Sequence, residues 1–492
     1  MLELTVFLCG GVVMILELTG SRILAPYLGT SLVVWTGLIG VVLGALSLGY
    51  WWGGRIADQK PTLRVLSLIV MAAGAAIGLA ALVQAPLLRM LQKHVLNLHL
   101  GVLLSTVLLF GPASILLGMI APYAVKMKLS CLEYSGATVG RMYALSTIGS
   151  IAGTFLAGFV LLSFFGSLTI LIFLGLLMTA LALVLAPRAA LVPKVLLLLV
   201  LVLGGGMHLY HQRALVAIGW IDVDTPYNRI IVAPAKDEIT DRRMRIMTTG
   251  PGWFQSAMYL DDPVELVLPY TRFFRLGEHF SPRFQRVLMI GGGGYSFPKY
   301  LQSTRADMEL DVVEIDPGFT DLAKSFFAFE PDQRVRVHHQ DARRFLNQHK
   351  QPYDLIILDA FNSHYSIPFQ LTTRQAASRM SASLTKNGVL IMNLISAIHG
   401  KNGRFLRAQL ATLESVFPRV LLFPVTHPED PYSVQNIVLV ALKANAEQEM
   451  IAATDELNSH LAHLWQGDIP RDMPVLMDSL APVERYLPTG RY

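Results

Sequence analysis

The sequence predicts a multi-pass α-helical membrane domain followed by an α/β domain, a doubly wound and mostly parallel sheet, with a small β unit before it. Three observations carry that prediction. Apolar residues make up 53% of the 492 and charged residues only 15%, well under the roughly 25% usual in soluble domains. Charge is spread unevenly: up to residue 215 there are 12 Lys and Arg and 4 Asp and Glu, and beyond it 28 and 31. After residue 285, short apolar runs alternate with helix-like stretches, the pattern of parallel strands joined by crossover helices.

A spanning helix needs roughly 20 mostly apolar residues. Seven stretches qualify: Leu4–Gly20, Ser31–Trp52, Leu63–Val83, Leu98–Ile120, Met142–Phe165, Leu168–Ala186 and Val195–Tyr210. The last is short, between Lys194 and His211, so it crosses with snorkelling ends or lies at the interface. The first lacks a basic flank and a small-residue cleavage site, which reads as a retained helix rather than a signal peptide. The pairs Gly40/Gly44, Gly49/Gly53 and Gly149/Gly153 remove bulk from helix faces and predict close packing. Glu17 lies inside the first span, where a carboxylate is costly unless paired or protonated. It is read equally as a proton or cation site and as an ion pair with Arg22, Arg55 or Arg141.

The basic excess belongs to the loops of this half, so it signals membrane topology and not nucleic-acid binding. Arg55, Lys60, Arg64, Lys126, Lys128, Arg141, Arg188 and Lys194 lie between alternate spans, against Arg22, Arg89 and Lys93 on the other side. The N-terminus is therefore expected inside the cell. Seven spans then put the C-terminal domain outside; six spans plus an interfacial segment put it in the cytoplasm, the placement that nucleoside chemistry favours. The two cysteines, Cys9 and Cys131, imply neither a disulfide framework nor a zinc site.

In the second half, Ile221–Ala233 and Arg243–Thr249 read as strands of the small β unit and Pro263–Phe280 as helical. Strands follow at Arg286–Ile290, Leu310–Glu314, Arg334–His338, Tyr353–Asp359 and Gly388–Asn393. Helices are expected between them at about Gly318–Phe327, Ala342–Gln348 and Thr373–Leu384, then at Arg404–Val416. Val420–Pro424 and Gln435–Ala441 close the sheet. The chain thus divides into 1–212 (helical membrane domain, six or seven spans), 213–280 (small β unit and linking helix), 281–445 (nucleoside-binding α/β domain) and 446–492 (C-terminal helix and tail).

Ligands on such sheets bind at the carboxyl ends of the strands, and polar residues gather there. Gly291, Gly292, Gly293 and Gly294 follow the first strand and let backbone approach a ligand. Glu314 ends the second, where a carboxylate can accept from both ribose hydroxyls. Asp341 and Ala342 follow the third, where an acid can accept from an adenine amino group. Asp359 ends the fourth, beside the reacting centre. Each acid alone is equally a helix cap or loop residue; four features in register point to a nucleoside site. His338 and His339 are adjacent on a strand and face opposite ways, which argues against joint metal binding.

With these residues in place, the chain resembles the membrane-fused members of the spermidine synthase (polyamine aminopropyltransferase) family. The resemblance rests on Glu17-Leu-Thr-Gly-Ser-Arg22, Ala25-Pro-Tyr-Leu-Gly29, Gly53-Gly-Arg-Ile-Ala-Asp58, Gly250 through Gln255-Ser256, Ile290–Gly294, Val313-Glu-Ile-Asp316, Asp341-Ala342 and Tyr353–Asp359. It implies a Rossmann-like, methyltransferase-type sheet, decarboxylated S-adenosylmethionine as donor and a diamine such as putrescine as acceptor. It also implies acceptor contacts from Gln255, Tyr227 and Tyr365, with catalysis by Asp359 and Asn362. The chain departs from the pattern where the family has an aspartate after the third glycine (Gly294 here) and a second acid in the strand-four motif (Asn362 here). The family's Tyr-His-Glu is roughly Leu268-Pro269-Tyr270. An amide accepts no proton at neutral pH; the expectation is that Asp359 takes over as base, with Tyr365 or His364 nearby in sequence.

The expected function is therefore a membrane-bound, spermidine synthase-like transferase of polyamine biosynthesis in the plasma (inner) membrane. Its partners are the lipid bilayer, an S-adenosylmethionine-type nucleoside as co-substrate and an amine or lipid-like acceptor. No tightly bound cofactor, metal or nucleic acid is expected, and self-association is left open. The alternatives are a methyl or alkyl transferase acting on a membrane-associated acceptor, and a non-catalytic binding or assembly protein.

Overall fold

The computed structural model describes residues 1–95, 97–129, 135–250, 254–349, 351–360, 367–444 and 450–488, without the side chains of His211 and Gln212. The chain forms two compact units, Met1–Arg229 and Ile230–Tyr492.

The first unit is a helical bundle: α1 (Leu2–Leu28), α2 (Leu32–Gln59), α3 (Leu63–His94), α4 (Leu98–Leu109), α5 (Gly111–Lys128), α6 (Ser135–Leu156), a π-helical turn at Ala157–Leu161 running into α7 (Leu162–Phe164), α8 (Ser167–Leu185) and α9 (Leu191–Ala217), with the short strand β1 (Ile221–Asp224) after it. Among the described residues, six helices are long and apolar enough to cross a membrane, or seven when the bent pair α4–α5 is one span. That pair corrects the continuous helix expected at Leu98–Ile120. The axis turns by 53° at Gly111-Pro112, where proline supplies no N–H to the preceding turn.

The last helix is also corrected, from a short segment to 27 residues. Lys194 does not end it. Its side chain is fully buried, and its Nζ donates to the Ala182 and Ala186 carbonyls, both at 2.8 Å. Those are orphan acceptors at the C-terminal end of α8, where a cation is favoured. The charge therefore caps a neighbouring helix instead of breaking its own.

Two of the three glycine pairs mark close crossings. A methyl on Gly149 would overlap the Phe7 carbonyl of α1, and Gly53 abuts the Met119 backbone of α5. Gly40 and Gly44 have nothing within 4 Å of an added Cβ, so that pair faces outward and packs no helix, contrary to expectation. Of the partners considered for Glu17, Arg141 pairs instead with Glu3 at 3.1 Å, and Arg55 lies over the Trp51 ring.

Polar contacts fix which helix ends share a face of the bundle. Glu3 binds Lys128 and Arg141, Asp58 binds Lys126 at 2.8 Å, and the Tyr123 hydroxyl meets the Lys60 and Thr62 backbone. The start of α1, the end of α2, the start of α3 and the end of α5 therefore lie together. Asp224 accepts from the Ser167 N–H at 2.7 Å, at the start of α8, while Lys194 lies at its end. Helix α9 thus runs the length of α8 in the opposite sense.

The second unit opens with an antiparallel meander of β2 (Arg229–Lys236), β3 (Arg243–Thr248) and β4 (Ser256–Tyr259), registered through Val232 opposite Met247 and Ile246 opposite Ala257. The single strand expected at Ile221–Ala233 is two, divided by a turn at Pro226 in which Thr225 Oγ1 accepts from the Tyr227 and Asn228 N–H groups. The expected helix at Pro263–Phe280 is two short ones, α10 (Pro269–Phe273) and α11 (Leu276–Phe280).

Among the described residues the main sheet has seven strands: β5 (Arg286–Ile290), β6 (Glu309–Glu314), β7 (Val335–His339), β8 (Tyr353–Leu358), β9 (Leu384–Ser396), β10 (Arg419–Pro424) and β11 (Gln435–Leu442), in the order β10-β11-β9-β8-β5-β6-β7. Strands β5 to β9 are parallel, and β11 is antiparallel to both β9 and β10. Helices α12 (Ser296–Thr304), α13 (Pro317–Phe326), α14 (Ala342–Gln348), α15 (Arg374–Ala382) and α16 (Arg404–Glu414) connect them, and α17 (Asp455–Leu461) follows. Leu288, Ile290, Ile356, Leu358, Leu390 and Met392 are all buried, as central strands covered on both faces require. The strand order reverses between β5 and β8, so the carboxyl ends of those two strands flank the topological switch point, where ligands bind in this class of sheet.

Candidate active site

The ends of β5, β6 and β8 come together around the switch point. The glycine run after β5 turns back on itself, with Gly291 at φ +93° and Gly293 at φ +51°, backbone conformations that glycine adopts without strain. A Cβ on Gly291 would collide with the Asp359 carbonyl; glycine is what lets this loop lie against the end of β8.

Glu314, 5% exposed at the end of β6, anchors the loop. Its carboxylate accepts from Gly292 N–H at 2.8 Å, Gly293 N–H at 3.4 Å and Asp316 N–H at 2.9 Å. Burial raises its pKa above the ordinary carboxylate value, and these donors oppose the rise. A carboxylate has about four acceptor positions, so capacity for a ligand hydroxyl remains.

Gly294 has a specific neighbour. Its N–H donates to Ser256 Oγ of β4 at 2.8 Å, and a Cβ there would come within 2.7 Å of the Ser256 Cβ. The serine fills the space that a side chain at 294 would need, so the two positions go together.

Asp359, just past β8, is held from two sides. Its Oδ1 accepts from Asn393 Nδ2 of β9 at 3.0 Å, and the Tyr270 hydroxyl donates to it. That hydroxyl also lies 3.4 Å from the Gln255 carbonyl, so its one proton has two acceptors. Asn393, 6% exposed, takes Asn436 Nδ2 of β11 on its own oxygen at 3.0 Å, which fixes the amide orientation and turns its N–H toward the acid. Desolvation pushes the Asp359 pKa up to about 6, with the Asn393 and Tyr270 hydrogen bonds acting against it. Desolvation and then the Asp359 charge push the Tyr270 phenol well above its ordinary value. At pH 7 Asp359 is thus about nine-tenths ionised yet able to take a proton. Gln255, Ser256, Tyr270, Phe297 and Asp359 share one narrow cleft with Gly292.

The other expected site residues are placed as follows. Asp341 caps α14, its Oδ1 accepting from Arg344 N–H at 2.9 Å, with Gln370 Nε2 at 3.4 Å from Oδ2; Ala342 is buried behind it. Gln255 bonds Thr249 Oγ1 through Nε2 at 2.7 Å. Tyr227 belongs to the first unit. Asn362 and Tyr365 lie outside the described residues, as do His364 and Cys131. His338 bonds Asp311 at 2.7 Å and His339 bonds Thr320 at 2.9 Å, each on its own face of the strand.

Sequence reasoning gave Asn393 and Asn436 no part in the site, and reached Tyr270 and Ser256 only as members of family motifs. Asn393 carried a signal, being a lone polar residue at the end of the apolar run Val389–Met392. Asn436 carried none, since its place depends on the antiparallel register that sets Val438 opposite Asn393.

Residues 273–448 match the spermine/spermidine synthase domain. The chain is 33% identical over 219 residues to the polyamine aminopropyltransferase of Vibrio vulnificus, covering 44% of this chain and 70% of that protein. It is 24% identical over 260 residues to the polyamine aminopropyltransferase of Neisseria meningitidis serogroup A, covering 50% and 92%. The crystal structure of a probable spermidine synthase from Corynebacterium glutamicum aligns with a TM-score of 0.41 at 20% identity, over 49% of this chain and 86% of that one. With one residue in three shared over seven-tenths of the Vibrio enzyme, and the domain match lying across the sheet that carries the cleft, this chain belongs to the polyamine aminopropyltransferase (spermidine synthase) family.

Proposed function

We propose that the chain is a membrane-bound transferase that moves an aminopropyl group from decarboxylated S-adenosylmethionine to an amine. The observation that carries this reading is Asp359: a carboxylate with a pKa of about 6, at the switch point beside the glycine loop, held by two hydrogen-bond donors. The acceptor enters as an ammonium and gives a proton to Asp359. The neutral nitrogen attacks the methylene next to the sulfonium; the C–N bond forms, the C–S bond breaks, and its electron pair stays on sulfur as a neutral thioether, methylthioadenosine. General-base catalysis of this kind is worth about 10²–10⁴-fold, and in-line positioning supplies much of the rest.

In this reading Gly291, Gly292, Gly293, Gly294 and Glu314 hold the ribose end of the nucleoside, and Asp341 and Ala342 its base. Gln255 and Tyr365 serve the acceptor side. Asn362 cannot take a proton, so Asp359 alone acts as base. The test is turnover with labelled decarboxylated S-adenosylmethionine: Asp359→Asn is expected to lose at least 100-fold in kcat, and unchanged turnover rules the role out.

The first unit is proposed to sit in the cell membrane. Basic residues gather at the end of the bundle that holds Glu3, Asp58 and Lys128, which the positive-inside rule makes cytoplasmic. Because α5 ends where α3 begins, the bent pair α4–α5 is best counted as a crossing, giving seven. That count supports a sheet domain on the far side of the membrane, against the cytoplasmic placement expected from nucleoside chemistry, and the reaction would then draw on substrates supplied to that side.

A further inference from the structure

We propose that the C-terminal segment 454–465 is a positioning element for the base: it grips α10 and so keeps the Tyr270 hydroxyl on Asp359, with His460 as its principal contact. The inference rests on the reading of Asp359 as general base and adds residues that set its proton affinity from a distance. A helix of five residues, such as α10, does not hold its own position, because a single turn fixes several dihedrals for few hydrogen bonds. Where Tyr270 points therefore depends on what packs against α10. On one side Phe274, fully buried, meets Phe297 of α12 edge-on, with ring centroids 5.4 Å apart. On the other, Phe273 is covered by two imidazoles of the C-terminal segment, His460 edge-on at 4.5 Å and His463 at 5.3 Å.

The segment is fastened at both ends. Thr454 caps α17, its Oγ1 accepting from Leu457 N–H at 3.3 Å, and α17 buries Leu457, His460 and Leu461, a spacing that puts all three on one face. Glu456 meets Arg275, at the junction of α10 and α11, at 2.5 Å. Beyond α17, His463 Nδ1 bonds the Pro424 carbonyl at 2.8 Å, and Trp465 N–H donates to the Leu422 carbonyl at 2.9 Å, both on β10. The segment thus runs as a strap from the α10–α11 junction to β10, with Phe273 under it. Tyr270 and Phe273 share the single turn of α10, so a displacement of one carries the other. The Tyr270 hydroxyl donates to Asp359, and losing that donor disfavours the ionised acid.

The experiment titrates Asp359 in the full-length protein in detergent, without substrate, by infrared difference spectroscopy of the carboxyl band that Asp359→Asn removes. The acid limb of kcat/KM for aminopropyl transfer is the second readout. His460→Ala loosens the grip on Phe273 and is expected to move both upward by about half a unit to one unit, a loss of roughly twofold to fivefold in ionised Asp359 at pH 6. His460→Phe keeps a ring against Phe273 without a titrating group and is expected to leave both in place. In a Tyr270→Phe background, His460→Ala is expected to move neither any further. Where His460→Ala does not fold, His463→Ala probes the same contact. An unmoved titration in a folded alanine variant overturns the proposal. So does a full shift in the Tyr270→Phe background, because the segment would then reach Asp359 by another route. A shift in the infrared titration, with no product from the unaltered protein, leaves the strap standing and overturns the aminopropyl-transfer reading.

Discussion

Removing the Asn393 amide should move the pH dependence of the reaction by a predictable amount. Asn393 donates to Asp359 at 3.0 Å and is itself braced by Asn436 at 3.0 Å. A hydrogen bond to a charged group contributes roughly 1.5–3 kcal/mol, and each pKa unit corresponds to about 1.4 kcal/mol. In Asn393→Ala, Asp359 loses a donor that favours its ionised form, so its pKa rises from about 6 by about one unit or more. The base acts ionised, and activity must fall on the acid side. With a one-unit shift the ionised fraction drops about fivefold at pH 6 and about twofold at pH 7, and recovers by pH 9. The assay is kcat/KM for aminopropyl transfer between pH 5 and 9, with thermal unfolding as the control for folding. An acid limb that stays where it was, in a folded protein, refutes the role of Asn393 and weakens that of Asp359.

Three further outcomes follow from the same geometry. Gly291→Ala should lower nucleoside binding at least tenfold by calorimetry, because φ +93° and the approach to the Asp359 carbonyl leave no room for a methyl. Asp359→Asn should raise the thermal midpoint at pH 8 and not at pH 4. Its folded pKa of about 6 lies above the ordinary 3.8, so the stability that protonation lends the native state is present below pH 3.8 and lost as pH rises through 6; the gap amounts to at most about 3 kcal/mol. A reporter fused after residue 488 should respond as a non-cytoplasmic one if α4–α5 crosses as a single span, and a cytoplasmic signal would reduce the crossings to six.

The sheet was legible because β5, β6, β8 and the second half of β9 are largely buried and read as mostly apolar runs, with the glycines and acids placed at their ends. Strand-end register brought Glu314 and Asp359 to the switch point without any tertiary information. The Asp359 clamp was not legible, since Tyr270 arrives from α10 and Asn436 from a strand of opposite direction. The membrane half was misread where a residue's partner lay on another helix. Lys194 marked a boundary in the sequence, yet its charge is spent on the carbonyls of α8, and the helix runs on. Proline 112 was hidden inside an apolar run whose length alone suggested one straight span. Ser256 entered only as the end of a family motif, because a four-residue strand has too short a period to register, although it explains why position 294 is glycine.

The most direct test of the account is calorimetric binding of decarboxylated S-adenosylmethionine, intact S-adenosylmethionine and methylthioadenosine to the purified full-length protein. Aminopropyl transfer predicts that the decarboxylated donor and methylthioadenosine bind, and that the intact donor, with its extra carboxylate facing Asp359, binds at least tenfold more weakly. Preference for the intact donor would contradict the account in favour of methyl transfer, and binding of none of the three to folded protein would leave the sheet without a substrate.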